Sequence, residues 1–269
     1  MATGSNLINT STEGQPADNE DRPFSFAIGT QIFLNPSDSP TDSVTSFKVD
    51  ASLLVAGAES GTSNLAIGFA TDAQLNTLAS WGESNISSDS ANRFPVGFGR
   101  LNNAPTKIGV NVQGTQVATI GKPTDVEGVD ISSNEMSMTS HPFQNGDRVV
   151  VTSTGAVPGG LTTGVGYFVI YSSTDSIKLS TSLAGAEVDA EIDIQSVGSG
   201  TITVASDEIF TLTRSGSSGT VTVKKSDLIV ATYINQNISS PLRLFYWNRE
   251  QSSSTTVPVL KEIKVTGAI

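Results

Sequence analysis

The sequence predicts an all-β protein: a β-sandwich interrupted by a small inserted β domain, with one short helix. Three observations predict it. Charged residues make up only 15% of the 269-residue chain, while Ser, Thr, Gly and Val are abundant. That composition suits many turns and cores of β-branched side chains. Apolar residues recur at period two along most of the chain, and turn-forming Gly, Pro and Asn residues interrupt them at short intervals. A chain of this length can bury a sizeable core in one or two domains.

Met1 to Pro23 holds almost no apolar residues beyond Leu7 and Ile8, too few to offset the entropy of ordering. It is expected to be a flexible arm, or one ordered only against a neighbouring subunit, with Leu7 and Ile8 as candidate assembly contacts. From Phe24 the pattern changes. Phe24, Phe26, Ile28, Ile32 and Phe33-Leu34 form an extended apolar segment broken at Gly29. Phe47, Val49 and Ala51 alternate, as do Leu65, Ile67 and Phe69, each set marking a half-buried strand. Thr71 to Trp81 is the expected helix: Thr71 can cap it, Asp72 suits its first turn, and Leu75, Leu78 and Trp81 share one face. Pro95 to Leu101 and Ile108 to Ile120 are further strands, the second folding back at Gln113-Gly114. Later in the chain, Ile209 to Arg214 and Val221 to Lys225 form a hairpin around a Ser/Gly turn. Strands follow at Leu228 to Tyr233, Leu242 to Trp247 and Val259 to Val265.

Between Lys122 and Val204 lies the most specific pattern in the chain. His141-Pro142-Phe143-Gln144-Asn145-Gly146-Asp147-Arg148-Val149 opens it. Pro158-Gly159-Gly160-Leu161, Tyr167-Phe168-Val169-Ile170 and Ile177-Lys178-Leu179-Ser180 follow in order. Physically these are short strands separated by turns, with Gly146 accepting positive φ and Asn145 tolerating it. The four blocks closely resemble a small β module that recurs in tailed-bacteriophage virion proteins. The resemblance implies a structural virion part and not an enzyme. Such a protein is made in the host cytoplasm and works beside other virion proteins of capsid or tail, as a homo-oligomer or in many copies.

The segments outside that module read as two pieces of one domain. Phe210-Thr211-Leu212-Thr213-Arg214, Val221-Thr222-Val223 and Leu242 to Asn248, followed by Ile263-Lys264-Val265, are similar to strands of concanavalin-like (laminin-G-like) jelly rolls. That similarity implies a jelly-roll sandwich carrying the module at a hairpin tip, where insertions are energetically tolerated. The expected organisation is an arm at 1–23, a jelly roll at 24–121 plus 205–269, and an inserted small β domain at 122–204.

Charge and composition exclude several function classes. With 15 Lys plus Arg against 26 Asp plus Glu, the formal net charge is −11. Nucleic acid needs a basic footprint, so none is expected as a partner, and an anionic membrane surface is equally disfavoured. No apolar run approaches the roughly 20 residues of a membrane helix, and Met1 to Arg22 lacks a secretory leader pattern, so no membrane insertion is expected. Cysteine is absent and His141 is the single histidine. Disulfides, thiolate nucleophiles and Cys-ligated metals are therefore excluded, and no metal or cofactor site is expected. No nucleophile elbow, phosphate loop or dinucleotide fingerprint occurs.

A retaining glycosidase of such a fold sets two carboxylates on one inner strand, flanking one bond. The densest acidic run, Glu187-Val188-Asp189-Ala190-Glu191-Ile192-Asp193, is expected instead to be a strand. Its four acids would share a solvated face opposite Val188, Ala190, Ile192 and Ile194. No catalytic residue is assigned. Aromatic faces offer candidate glycan contacts at Tyr246, which alternates with Phe245 and Trp247 on a strand, and at Trp81. Core packing of Phe245 and Trp247, and a plugging role for Trp81, are the plainer alternatives.

The expected function is therefore a phage structural protein displayed on the particle surface, with a capsid decoration (cement) protein favoured. The alternative is a tail-fibre or receptor-binding component that recognises host surface glycans. Fibres are usually longer and carry repeats or heptads, which this chain lacks. A polysaccharide hydrolase is a third reading, disfavoured by the acids just described.

Overall fold

A computed structural model describes residues 25–33, 43–50, 63–71, 73, 94–100, 107–214, 220–234, 242–250 and 259–267. In chain order, the first strands are β1 (Ser25–Phe33), β2 (Ser43–Asp50), β3 (Ser63–Thr71), β4 (Val96–Arg100), β5 (Lys107–Val112) and β6 (Thr115–Gly121). Next come β7 (Thr124–Asp125), β8 (Gly128–Asp130), β9 (Glu135–Ser137), β10 (Arg148–Ser153), β11 (Gly166–Ser173) and β12 (Ser176–Ser180). A short helix, α1 (Leu183–Glu187), and β13 (Ile202–Ser206) follow. The last strands are β14 (Ile209–Arg214), β15 (Val221–Lys225), β16 (Leu228–Tyr233), β17 (Leu242–Glu250) and β18 (Val259–Gly267). The fold is an all-β, antiparallel jelly-roll sandwich with an additional small β domain, and among the described residues one short helix is delimited. Packing divides the chain into two compact units, Met1–Thr119 with Ile209–Ile269, and Ile120–Glu208.

The first unit holds two sheets, ordered β1-β17-β3-β4-β5-β6 and β16-β15-β14-β2-β18. Early and late strands interleave: β17 lies between β1 and β3, and β2 between β14 and β18. Neither flanking segment could complete either sheet alone. The register between β1 and β17 shifts between Ile28 and Gln31, beside the Gly29 interruption read from the sequence, as an inserted residue in a strand pair requires. Gln113 and Gly114 both take positive φ, 47° and 75°, the geometry of a tight hairpin whose twist matches its strands. Phe98 of β4 meets Phe210 of β14 edge-on with ring centroids 5.3 Å apart, which packs the two sheets face to face. Tyr233 of β16 reaches across to donate its hydroxyl to the Val112 carbonyl at 3.1 Å. Alternating Ile108, Val110 and Val112 on β5, and Val221 and Val223 on β15, are all buried. Each such side chain contributes about 1.5–3 kcal/mol by leaving water.

The second unit is one seven-stranded sheet, ordered β7-β13-β10-β11-β12-β9-β8. Its core gathers Val149 and Val151 of β10, Tyr167 and Val169 of β11, Ile177 and Leu179 of β12, and Ile202 and Val204 of β13. Met136, Met138, Phe143, Leu161 and Ile194 complete it. The unbroken apolar run Tyr167 to Ile170 has a physical cause: β11 is buried on both faces. Tyr167 and Val169 face that core, while Phe168 and Ile170 pack under Ala186 and Leu183 of α1.

The acidic run corrects the sequence expectation. Glu187 ends α1, and residues 188–193 form no strand. Ser182 caps the helix by accepting the Gly185 N–H at 3.0 Å. Ala190 N then bonds back to the Gly185 carbonyl, and Asp189 sits at φ 55°. A left-handed residue cannot continue a pleated strand, so the four acids do not share one face. Val188 is 74% exposed, whereas Ile194 is buried. The expected helix at Thr71 to Trp81 lies outside the described residues, apart from Thr71, which closes β3, and Ala73.

Candidate functional site

The four sequence blocks converge within the second unit, and His141 marks their start. Its backbone N–H donates to the Thr174 carbonyl at 3.2 Å, and its Nε2 lies 2.8 Å from the Ser173 carbonyl. A carbonyl only accepts, so Nε2 is the protonated nitrogen and donates. Nδ1 is buried and makes no hydrogen bond. The ring stacks on Phe143 at 6.0 Å and meets Tyr171 edge-on at 5.6 Å. The imidazole thereby pins the β11–β12 turn.

The turn that follows is fixed by its own polar atoms. Asp147 is buried, and its carboxylate accepts the Gln144 N–H at 3.0 Å. Gly146 takes φ 81°, and its N–H donates to the Val169 carbonyl at 2.8 Å. The Asn145 side-chain oxygen accepts the Tyr171 N–H at 3.0 Å. In the second block, Leu161 N–H closes a turn onto the Pro158 carbonyl, with Gly160 at φ 94°. In the third, Tyr167 accepts the Thr162 N–H on its phenolic oxygen at 2.7 Å. In the fourth, Lys178 pairs with Glu191 at 3.1 Å.

Sequence reasoning missed one ionic cluster. The Arg148 guanidinium holds the Asp207 carboxylate at 2.6 Å and the Asp207 carbonyl at 2.7 Å. The Arg148 N–H donates to Glu208 Oε1 at 2.7 Å. Both acids are buried. The partners stand 59 and 60 residues from Arg148, so no local spacing announces them.

Glu187 and Glu191 do stand four residues apart, but one ends a helix and the other lies in the irregular segment after it. Glu191 is occupied by Lys178 and by Asn134, whose amide donates at 3.4 Å. These bonds, Lys178 first, lower its carboxyl below the ordinary value. Asn134 also accepts the Ile194 N–H at 2.8 Å, so Glu191 tethers the segment after α1 to β12 and to the turn between β8 and β9. Asp130 is lowered by the side-chain and backbone bonds it accepts from Ser132, a local turn contact. Among the described residues no group of three His, Cys, Asp or Glu side chains is placed to hold a metal.

Of the residues singled out from sequence, Leu7, Ile8 and Trp81 lie outside the described residues. Tyr246 sits on β17 opposite Ala27 of β1 and Ile67 of β3; its side chain lies outside the described set.

No family model and no curated protein matches the chain. Among solved structures, an endo-1,3-beta-glucanase from Streptomyces sioyaensis is 11% identical, with a TM-score of 0.33, over 88% of this chain and 67% of its own. The carbohydrate recognition domain of Emp46p in potassium-bound form is 10% identical, with a TM-score of 0.32, over 93% of this chain and 81% of its own. A tyrosine-to-phenylalanine variant of that domain is 11% identical, with a TM-score of 0.34, over 100% and 88%. These are β-rich neighbours, and no activity or ligand is carried over from them.

Proposed function

We propose that this chain is a structural protein of a tailed-phage particle, displayed at the virion surface, and within that class a capsid decoration protein. The observation that supports this reading is what the four blocks do. His141, Asp147, Tyr167 and Lys178 each hold backbone or a neighbouring acid, and Phe143, Leu161, Ile177 and Leu179 fill the core. The module that resembles phage virion proteins is used as architecture. An acidic chain of net charge −11 also resists premature association before assembly. The first residues, through Leu7 and Ile8, are the proposed grip on a neighbouring virion protein.

The test is stoichiometry. Purified particles are quantified for this chain against the major capsid protein, and a reconstruction of the particle locates it. Copies in the ratio of capsid sites support decoration. Copies in tail-symmetry numbers would move the protein to a fibre or receptor-binding role, with host glycans as its partner. Absence from the particle would overturn the virion reading.

A further inference from the structure

Asn145 is followed by Gly146, and no other Asn or Asp in the chain precedes a glycine. The pair carries a chemistry of its own. A glycine nitrogen has no Cβ beside it to hinder attack on the carboxamide of the preceding residue. Once that nitrogen gives its proton to hydroxide, it bonds to the Asn carboxamide carbon. Ammonia leaves, taking a proton back from water, and a succinimide ring closes. Water then opens the ring at either carbonyl. Opening at the former side-chain carbonyl gives aspartate. Opening at the main-chain carbonyl gives isoaspartate, whose backbone continues through the side-chain carbon. The net change consumes one water and releases one ammonia, with no oxidation or reduction.

The fold holds the pair where this reaction cannot start. Asp147 N–H donates to the Gln144 carbonyl at 3.1 Å, and Gly146 sits at φ 81°. That combination is a type II turn, in which the residue at the place of Asn145 is extended. The Gly146 nitrogen therefore points away from the Asn145 carboxamide. Both reacting groups are also engaged by β11. Gly146 N–H donates to the Val169 carbonyl at 2.8 Å, and Asn145 Oδ1 accepts the Tyr171 N–H at 3.0 Å. Lack of water is not the obstacle, because Asn145 is exposed. Nor is the glycine freely exchangeable: a Cβ on it would stand 3.0 Å from Leu183 Cδ1 of α1, at a φ that side chains disfavour.

We infer that Asn145 is a latent modification site, which water converts to aspartate and isoaspartate only while the turn before β10 is open. Folding closes the site by geometry, and local opening exposes it. The two products then part ways. Aspartate keeps an oxygen for the Tyr171 N–H. Isoaspartate adds a methylene to the main chain inside the turn, so the Gly146 and Tyr171 bonds between the turn and β11 cannot both form again. Isoaspartate at this position is thus a lasting record that the turn has opened. The inference does not depend on which particle, if any, the protein serves.

The experiment holds the full-length chain, folded and in guanidinium chloride, in the same mildly alkaline buffer. Peptide mapping by mass spectrometry then quantifies aspartate and isoaspartate at Asn145. Conversion should be at least roughly tenfold slower in the folded chain, as expected when a local opening must come first. The reaction and hydrogen exchange at the Gly146 amide both require the bond to Val169 to break, so folding should slow them by similar factors. Asp147→Ala removes the acceptor of the Gln144 N–H and should speed conversion in the folded chain while leaving the unfolded rate unchanged. Asp147→Asn, which keeps an oxygen at that place, should do so more weakly and serves if the alanine variant does not fold. Asn145→Asp should fold with the Tyr171 amide protected, whereas isoaspartate chains returned to native buffer should not regain that protection. Equal rates in folded and unfolded chains, or no conversion of Asn145 in the unfolded chain, overturns the inference. So does full protection of Gly146 and Tyr171 in the isoaspartate form.

Discussion

Arg148 and Asp207 form the ionic closure of the second unit, their charged atoms 2.6 Å apart although 59 residues separate them. Arg148 opens β10 and Asp207 follows β13, so the pair ties neighbouring strands where the chain leaves the unit. Gly166 of β11 lies directly beneath: any Cβ there would collide with the guanidinium. Glycine at this position is thus a requirement of the ion pair and not of turn geometry.

Gly166→Ala should therefore act like a partial loss of Arg148. Displacing the guanidinium breaks the ion pair with the buried Asp207 carboxylate, at a cost on the order of 3 kcal/mol, and Arg148→Met should cost about the same. Urea denaturation followed by near-ultraviolet circular dichroism measures it. A change below about 0.5 kcal/mol, the usual range for surface substitutions, would show that the pair is idle.

His141 should matter through packing and one hydrogen bond. His141→Ala removes the Nε2–H that serves the Ser173 carbonyl and the ring wedged between Phe143 and Tyr171, costing about 3 kcal/mol. His141→Phe keeps the wedge and should recover more than half of that loss. Equal destabilisation by both would mean the hydrogen bond, not the ring, dominates.

How much could be read from sequence depends on whether the cause was local. The Gln113-Gly114 hairpin, the Asn145-Gly146-Asp147 turn and the alternating strands β5 and β15 were legible, because each is set by residues within a few positions. The Tyr167 to Ile170 run reads as strand from its sequence, but its second buried face needs α1, which no local pattern announces. That helix spans only five residues around Gly185, too few to show a helical period, and the strict alternation of acids and apolar residues from Glu187 to Ile194 imitates a strand after it. The Ser182 cap and the left-handed Asp189 decided otherwise. Arg148 with Asp207 and Glu208 was illegible, since sequence alone does not show which strands become neighbours.

Acid should loosen the segment after α1 first. The Glu191 carboxyl lies below its ordinary value of 4.5, held chiefly by Lys178 and then by Asn134. A depressed folded value means its contribution is fully present above pH 4.5 and is lost as pH falls through that lower value. The group is partly exposed, so the effect is only about 0.5 kcal/mol. Comparing wild type with Glu191→Gln by hydrogen exchange at Ile192 and Ile194 should show a difference near neutral pH that shrinks toward pH 3. A difference that grows in acid would contradict the assignment.

The inserted module should be removable. Its two ends are adjacent, with the Ser206 hydroxyl donating to the Gly121 carbonyl at 2.8 Å, and both sheets of the outer unit are built without it. Replacing residues 122–204 by a short Gly/Ser linker should leave a protein that unfolds in one cooperative transition. A broad, non-cooperative melt of the remainder would defeat the proposal that 122–204 is an insertion in an otherwise complete sandwich.

The last prediction concerns the first residues. Met1 to Arg22 has too little apolar surface to order by its own packing, and Leu7-Ile8 is its one apolar pair. If that pair grips a neighbouring virion protein, deleting residues 1–20 should leave the thermal midpoint of the purified protein within about 2 °C of wild type, as expected when no core contact is lost. Incorporation into particles should fall sharply. Leu7→Asp with Ile8→Asp, which keeps the length of the segment, should reproduce the loss, because a charged pair cannot enter an apolar seat without desolvation. A lowered thermal midpoint would return the segment to its own domain as a folding element. Unchanged incorporation in both variants would leave Leu7 and Ile8 without a role in assembly.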